Sequence, residues 1–170
     1  LFLNHLIETF QKFWNGWIDQ MKRINSKITN LKHGMGCKII KPVNIYGSKF
    51  GNNVFVGPFV EIQNNTLIGD NTRIQSHSFI CAKVTIGKNC FIGHGVMFTN
   101  DDLKKGKITR NSKLFKKTKI GNNVVIGSNS TLLPVSITSG AVIGAGSTVT
   151  KNINVKGIYA GSPAKLLRKI

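Results

Sequence analysis

Few side chains in this sequence can move a proton or ligate a metal near neutral pH. The histidines are His5, His33, His77 and His94. An imidazole titrates close to pH 7, so each is a candidate proton acceptor as well as a candidate hydrogen-bonded structural residue. His77 and His94 stand 17 residues apart, and Asn100-Asp101-Asp102 follows shortly after. The cysteines, Cys37, Cys81 and Cys90, form no CxxC pair, and no close histidine pair completes a three-histidine zinc set. The expectation is no metal, buried free thiols and a reducing compartment.

These residues must be held by a scaffold, and the scaffold is written in a period of six. Phe50, Val56, Ile62, Ile68, Ile74, Ile80, Ile86, Ile92 and Phe98 follow one another at that interval without a slip. The rhythm resumes at Ile120, Ile126 and Leu132 and continues at Ile137, Ile143 and Val149. Glycine follows many of these residues, and small or β-branched residues such as Thr66, Thr72 and Ser78 precede them by two. Six matches neither a helix nor a simple amphipathic strand; it is the period of a hexapeptide β-helix. Each large residue points into a narrow prism and is buried only against the coils beside it. Gly and Asn sit where a tight or left-handed corner is least costly. The step from Leu132 to Ile137 is five, with Pro134-Val135 between, which predicts a local distortion without loss of the coil.

Two segments depart from the period. Leu3, Ile7, Phe10, Trp14, Trp17, Met21, Ile24, Ile28 and Leu31 alternate in steps of four and three, the seam of helices packed side by side. Residues 1–35 therefore read as an amphipathic N-terminal helix. It would form a three-chain coiled coil, pack on its own β-helix, or lie on a membrane surface, the last being the least favoured. Residues 99–119 are polar and carry eight Lys/Arg, reading as an external loop. The organisation expected is helix 1–35, β-helix 36–160 with that loop, and a short C-terminal helix over 161–170.

The chain of 170 residues has 24 Lys+Arg against 6 Asp+Glu, a net charge of +18. Such a charge raises nucleic acid as a partner, but 20 of the basic residues are Lys, as AT-rich coding bias would produce. Only Phe115 accompanies the basic loop as a stacking ring, so no nucleic acid partner is expected. A non-catalytic basic scaffold remains the alternative from another class. No apolar stretch approaches a membrane span and no cleavable signal is recognisable, so a cytoplasmic location is expected.

From Gly36 to Ile170 the sequence resembles the left-handed β-helix acyltransferases of the hexapeptide-repeat superfamily. The run Ile74-Gln75-Ser76-His77-Ser78-Phe79-Ile80-Cys81, followed by Phe91-Ile92-Gly93-His94-Gly95-Val96-Met97-Phe98-Thr99-Asn100-Asp101, is similar to the subgroup that acetylates nucleotide-linked amino sugars. The ending Gly144-Ala145-Gly146-Ser147 through Ala160-Gly161-Ser162-Pro163-Ala164-Lys165 looks like that of these enzymes. The resemblance implies a homotrimer, acetyl-CoA as co-substrate, and a dTDP- or UDP-linked amino-deoxy sugar as acceptor. It implies Asn100 and Asp101 near the sugar, and backbone groups of Gly127, Ser128, Ala145 and Gly146 along the pantetheine. Lys151, Lys165 and Arg168 would meet its phosphates. His77 or His94 would take the amine proton, or the leaving thiolate would do so itself. A Glu that some members carry at the place of Ala82 is missing here. An O-acetyltransferase of a simple sugar, which would rely on a histidine base, is the nearest alternative.

Overall fold

A computed structural model describes residues 27–101 and 106–170. The predicted seam over residues 1–26 lies outside the described residues. The described chain winds as a three-walled parallel solenoid, in the left-handed sense that the family resemblance implies.

The first wall has seven strands: Ile28–Thr29, Asn44–Tyr46, Glu61–Ile62, Phe79–Ile80, Met97–Phe98, Thr131–Leu132 and Thr148–Val149. The second has five: Lys49–Phe50, Leu67–Ile68, Val84–Ile86, Thr118–Ile120 and Ser136–Ile137. The third has eight, from Lys38–Ile39 through Phe55–Val56, Arg73–Ile74, Phe91–Ile92, Val125–Ile126 and Val142–Ile143 to Gly157–Ala160 and Lys165–Lys169. Each coil passes through the walls in that order, and like positions stack, as in Phe55↔Arg73 and Phe91↔Val125.

The large residue of every hexapeptide is the core. Val56, Ile62, Ile74, Ile80, Ile92, Ile126 and Leu132 have no exposed surface, and Phe98 has almost none. Burying such a side chain contributes about 1.5–3 kcal/mol each, which stacking alone supplies here. The small polar residues that precede them are buried too. Their hydroxyls reach carbonyls at the corners: Thr66 Oγ1 donates to Cys81 O at 3.2 Å, Thr72 Oγ1 to Gly87 O at 2.8 Å and Ser78 Oγ to Gly93 O at 2.9 Å. Asn53, Asn71 and Asn89 occupy left-handed corners, and their side-chain amides donate one to the next at 3.2 and 3.1 Å.

Where the spacing shortens to five, the pairing does not slip. Leu132 and Ile137 are both buried, and Lys119↔Ser136 and Thr131↔Thr148 keep register. The missing residue is absorbed at the corner, where Val135 turns inward and its carbonyl accepts from Lys119 N at 3.0 Å.

Three expected boundaries move. The solenoid starts before residue 36: Ile28–Thr29 pairs with Ile45–Tyr46, and Lys32 bridges to Lys49. Ile28 and Leu31 satisfy the helical seam, but Ile28 is taken as strand against Ile45 and Leu31, outside any strand, packs on the core. The excursion between walls is 99–117, because Thr118 and Lys119 already pair with Val84 and Thr85. The C-terminal segment 161–170 is not a helix. Lys165–Lys169 turns back and pairs antiparallel with Gly157–Ala160. The last strand of the third wall would otherwise leave its hydrogen-bonding edge bare; a short Lys-rich strand closes it.

Candidate functional site

The corner between the third and first walls carries most of the expected residues. His94 follows the strand Phe91–Ile92 and Gly93, where a Cβ would come within 2.6 Å of Ser128 N; only glycine lets the coils stack there. His94 N donates to Ser128 Oγ at 3.2 Å, and its carbonyl accepts from Asn129 N at 2.7 Å. Its exposed ring holds Nδ1 2.8 Å from Ser76 Oγ. When Nδ1–H donates to that hydroxyl, Nε2 is the lone-pair nitrogen, the arrangement a general base requires.

His77 sits beside Ser76 in the coil below. Its φ is +62°, its N–H donates to Pro58 O at 3.1 Å, and its ring stacks on Phe59 with centroids 4.9 Å apart. The ring partner of His77 is thus Phe59, and that of His94 is Ser76.

Gly127-Ser128 and Ala145-Gly146 occupy the next two coils of the same corner. Gly127 N donates to Ile143 O and Gly146 N to Ser128 O, both at 2.8 Å. A Cβ on Gly127 would collide with Ala145 N, whereas at Gly146 the space is open and φ is +67°. Lys165 pairs with Ala160, whose Cβ lies 3.0 Å from the Cβ position at Gly144, so it lies at this corner. Arg168 pairs with Ile158 farther along that strand, and Lys151 follows Thr148–Val149 on the far side of the first wall. Neither lies with the four backbone positions.

Asn100 and Asp101 stand at the opposite end of the first wall. They line a cavity of about 480 Å³ with Gln63, Phe79, Cys81, Phe98, Thr99 and Phe115. The described part of the excursion, from residue 106 on, returns to it, with Phe115 in its lining. Asp101 Oδ2 accepts from Thr109 N, and Asn100 O accepts from Lys116 N at 2.8 Å. A single 3-10 turn, Ser112–Leu114, is capped by Asn111 Oδ1 accepting from Lys113 N at 3.0 Å. Lys83 Nζ donates to Lys113 O at 3.0 Å and Phe115 O at 3.2 Å, tying the excursion to the coil.

Behind the cavity runs a polar chain that the sequence did not single out. Gln63 Oε1 accepts from Ala82 N at 3.1 Å, and Gln63 Nε2 donates to Glu61 Oε1 at 3.1 Å. Burial, and then the Glu61 carboxylate beside it, raise the Tyr46 phenol above its ordinary value. Burial pushes the Cys81 thiol up to about 12, so it lines the cavity as a neutral thiol. Cys90 is buried, whereas Cys37 is only half-buried, contrary to the expectation of three buried thiols.

The expected residues therefore form two groups in one chain. His77, His94, Gly127, Ser128, Ala145 and Gly146 share one corner; Asn100 and Asp101 belong to another, with the first wall between them. Ser76, Glu61, Gln63, Phe59 and Lys83 were missed. Ser76 and His94 differ by 18, one full coil, and laying the sequence out at that interval would have aligned them.

Known proteins share this framework. The model of the hexapeptide repeat of succinyl-transferase matches residues 83–97 and 117–151, and that of the bacterial transferase hexapeptide (six repeats) matches 47–82. The chain is 50% identical over 110 residues to the bifunctional protein GlmU of Wigglesworthia glossinidia brevipalpis, which covers 64% of the chain and 22% of that protein. It is 36% identical over 124 residues to the GlmU of Streptococcus uberis, covering 72% and 25%. The chain thus spans about a quarter of the length of these curated relatives. Among solved structures, a variant of AntD, an N-acyltransferase from Bacillus cereus in complex with dTDP and coenzyme A, superposes with a TM-score of 0.73 at 20% identity, covering 83% of this chain and 84% of that one. A variant of the GDP-perosamine N-acetyltransferase of Caulobacter crescentus, in complex with CoA and GDP-perosamine, has a TM-score of 0.61 at 19% identity over 82% and 58%. A hexapeptide transferase family protein from Anaplasma phagocytophilum gives 0.67 at 21% over 82% and 79%. With the two repeat models together spanning 47–97 and 117–151 of a hexapeptide solenoid, the chain belongs to the hexapeptide-repeat acyltransferases.

Proposed function

We propose that the chain is an acetyl-CoA-dependent N-acetyltransferase, acting on the amino group of a dTDP- or UDP-linked amino-deoxy sugar for glycan biosynthesis in the cytoplasm. The observation that carries the reading is the alignment of His94 with Gly127-Ser128 and Ala145-Gly146 along one corner. A thioester laid on those backbone groups would end beside an imidazole. The acceptor-lining pair Asn100-Asp101 stands at the other end of the wall, so the reading requires a homotrimer in which one copy's His94 corner meets a neighbour's excursion.

In this mechanism the amine attacks the thioester carbonyl carbon, the carbon–sulfur bond breaks, and the thiolate of coenzyme A leaves. His94, oriented by Ser76, takes the ammonium proton and returns it to the thiolate. Asn100 and the Asp101 carboxylate draw the amino group into place by charge-assisted hydrogen bonding. Cys81 stays protonated and does no covalent chemistry. Lys165 meets the donor's phosphates, in preference to Lys151 and Arg168.

The Ser76–His94 pair also favours a second reading, O-acetylation of a hydroxyl, because a hydroxyl needs a base more than an amine does. Thermal-shift screening with coenzyme A and with dTDP-, UDP- and GDP-sugars tests the proposal. Coenzyme A and a dTDP- or UDP-amino sugar should each raise the melting temperature by mass action. Stabilisation by neutral sugars alone would favour the second reading.

A further inference from the structure

One corner position recurs through five coils: Phe59, His77, Gly95, Asn129 and Gly146. All five are left-handed, with φ of 59°, 62°, 65°, 57° and 67°. Glycine and asparagine enter this conformation at little steric cost, and a phenylalanine does not. Phe59 is also 58% exposed, so burial does not offset the strain. Strain held without a packing return is a reason to look for a ligand.

The geometry around Phe59 indicates which ligand. Its ring lies against the His77 imidazole at 4.9 Å between centroids and 28° between planes. Above His77 the stack reaches Gly95, which has no side chain, so the second face of the imidazole has no ring from that position over it. The Asn129 side-chain oxygen takes the place a Gly95 Cβ would have, so an amide stands next above the pair. Two stacked, exposed rings and a neighbouring amide make a seat for a flat, hydrogen-bonding heterocycle.

We infer that Phe59 and His77 form the stacking platform for the nucleobase of the nucleotide-linked acceptor. The inference rests on the reading given under Proposed function. Gly127-Ser128 and Ala145-Gly146 lie on the coils beyond His94, on the side away from Phe59. A donor that reaches His94 from those coils carries its adenine away from Phe59. What approaches from the Phe59 side is the acceptor, whose base would sit at the Phe59–His77 pair, one to two coils, about 5–10 Å, from the level of His94. Recognition by stacking tolerates different bases, with discrimination left to the amide of Asn129.

Phe59→Gly tests this cleanly, because glycine relieves the strained φ while deleting the ring. His77→Asn keeps a residue that tolerates the same φ. UDP, dTDP, pyrophosphate and coenzyme A are titrated calorimetrically into the full chain, alongside melting temperature and sedimentation mass. The platform predicts that Phe59→Gly melts no lower than wild type yet binds UDP and dTDP about tenfold more weakly, as loss of one base stack implies. His77→Asn weakens them in the same direction, while pyrophosphate and coenzyme A bind as before. Unchanged UDP and dTDP affinity in Phe59→Gly overturns the platform alone. A loss confined to coenzyme A assigns the rings to adenine and also overturns it, as does a fall in sedimentation mass, which assigns Phe59 to a subunit contact. A wild-type chain that binds coenzyme A but no nucleoside diphosphate overturns the acceptor reading and the platform together.

Discussion

Ser76 Oγ lies 2.8 Å from His94 Nδ1, although the two residues are a full coil apart in sequence. The contact exists because residues 18 apart stack at the corner between the third and first walls. It converts a surface imidazole into one with a fixed ring orientation.

His94→Asn is expected to lower kcat about 100-fold, the usual contribution of a positioned base. Ser76→Ala should cost about tenfold, since Ser76 acts by orienting the ring. Steady-state kinetics across pH check both. An unchanged kcat in His94→Asn would hand the proton to the leaving thiolate.

Lys83 fastens the excursion through Lys113 O and Phe115 O. Lys83→Met keeps the apolar stem and removes the donors. Limited proteolysis should then cut faster between Gly106 and Leu114, and the acceptor KM should rise while that of acetyl-CoA stays level. Equal rises in both would contradict a role confined to the acceptor side.

The period of six made the solenoid legible because every rung repeats one steric demand: a large residue inward, a small one before it, a Gly or Asn at the corner. Ile62 and Ile92 announce their burial this way. Neighbours between coils were not legible from that period alone. The excursion inserts an irregular length, so Gly93 meets Ser128, not the residue 18 later. The pairing of Gln63 with Ala82 and of Phe59 with His77 needs the coil count. Lys165–Lys169 was misread because its state is decided by the edge it closes, which its own residues do not reveal. Ile28 fits a helical seam and a strand equally well.

Thr118 Oγ1 is buried and finds no hydrogen-bond partner among the described residues. Thr118→Val replaces the hydroxyl with a methyl of similar shape and should stabilise by about 1 kcal/mol. Thermal melts should rise by about 2–4 °C. A fall would mean that the hydroxyl has a partner in solution.

Cys81 has its thiol raised by burial from an ordinary 9.0 to about 12, and burial raises Cys90 in the same sense. The unfolded chain loses these protons above pH 9 while the folded chain keeps them. The stabilisation is therefore complete below pH 9 and declines as pH rises from 9 towards 12. Melts from pH 8 to 11 should show this decline, reduced in Cys81→Ala. A thiol reagent at pH 8 should modify Cys37 in the native protein and reach Cys81 and Cys90 only on unfolding.

The account stands or falls on the bond that is made. The chain is incubated with acetyl-CoA and a dTDP- or UDP-linked amino-deoxy sugar, and in parallel with the hydroxyl counterpart, while free thiol and product mass are followed. The account predicts thiol release with the amino sugar and a singly acetylated product that survives hydroxylamine, as an amide does. Turnover only with the hydroxyl sugar, giving a hydroxylamine-labile ester, would contradict it.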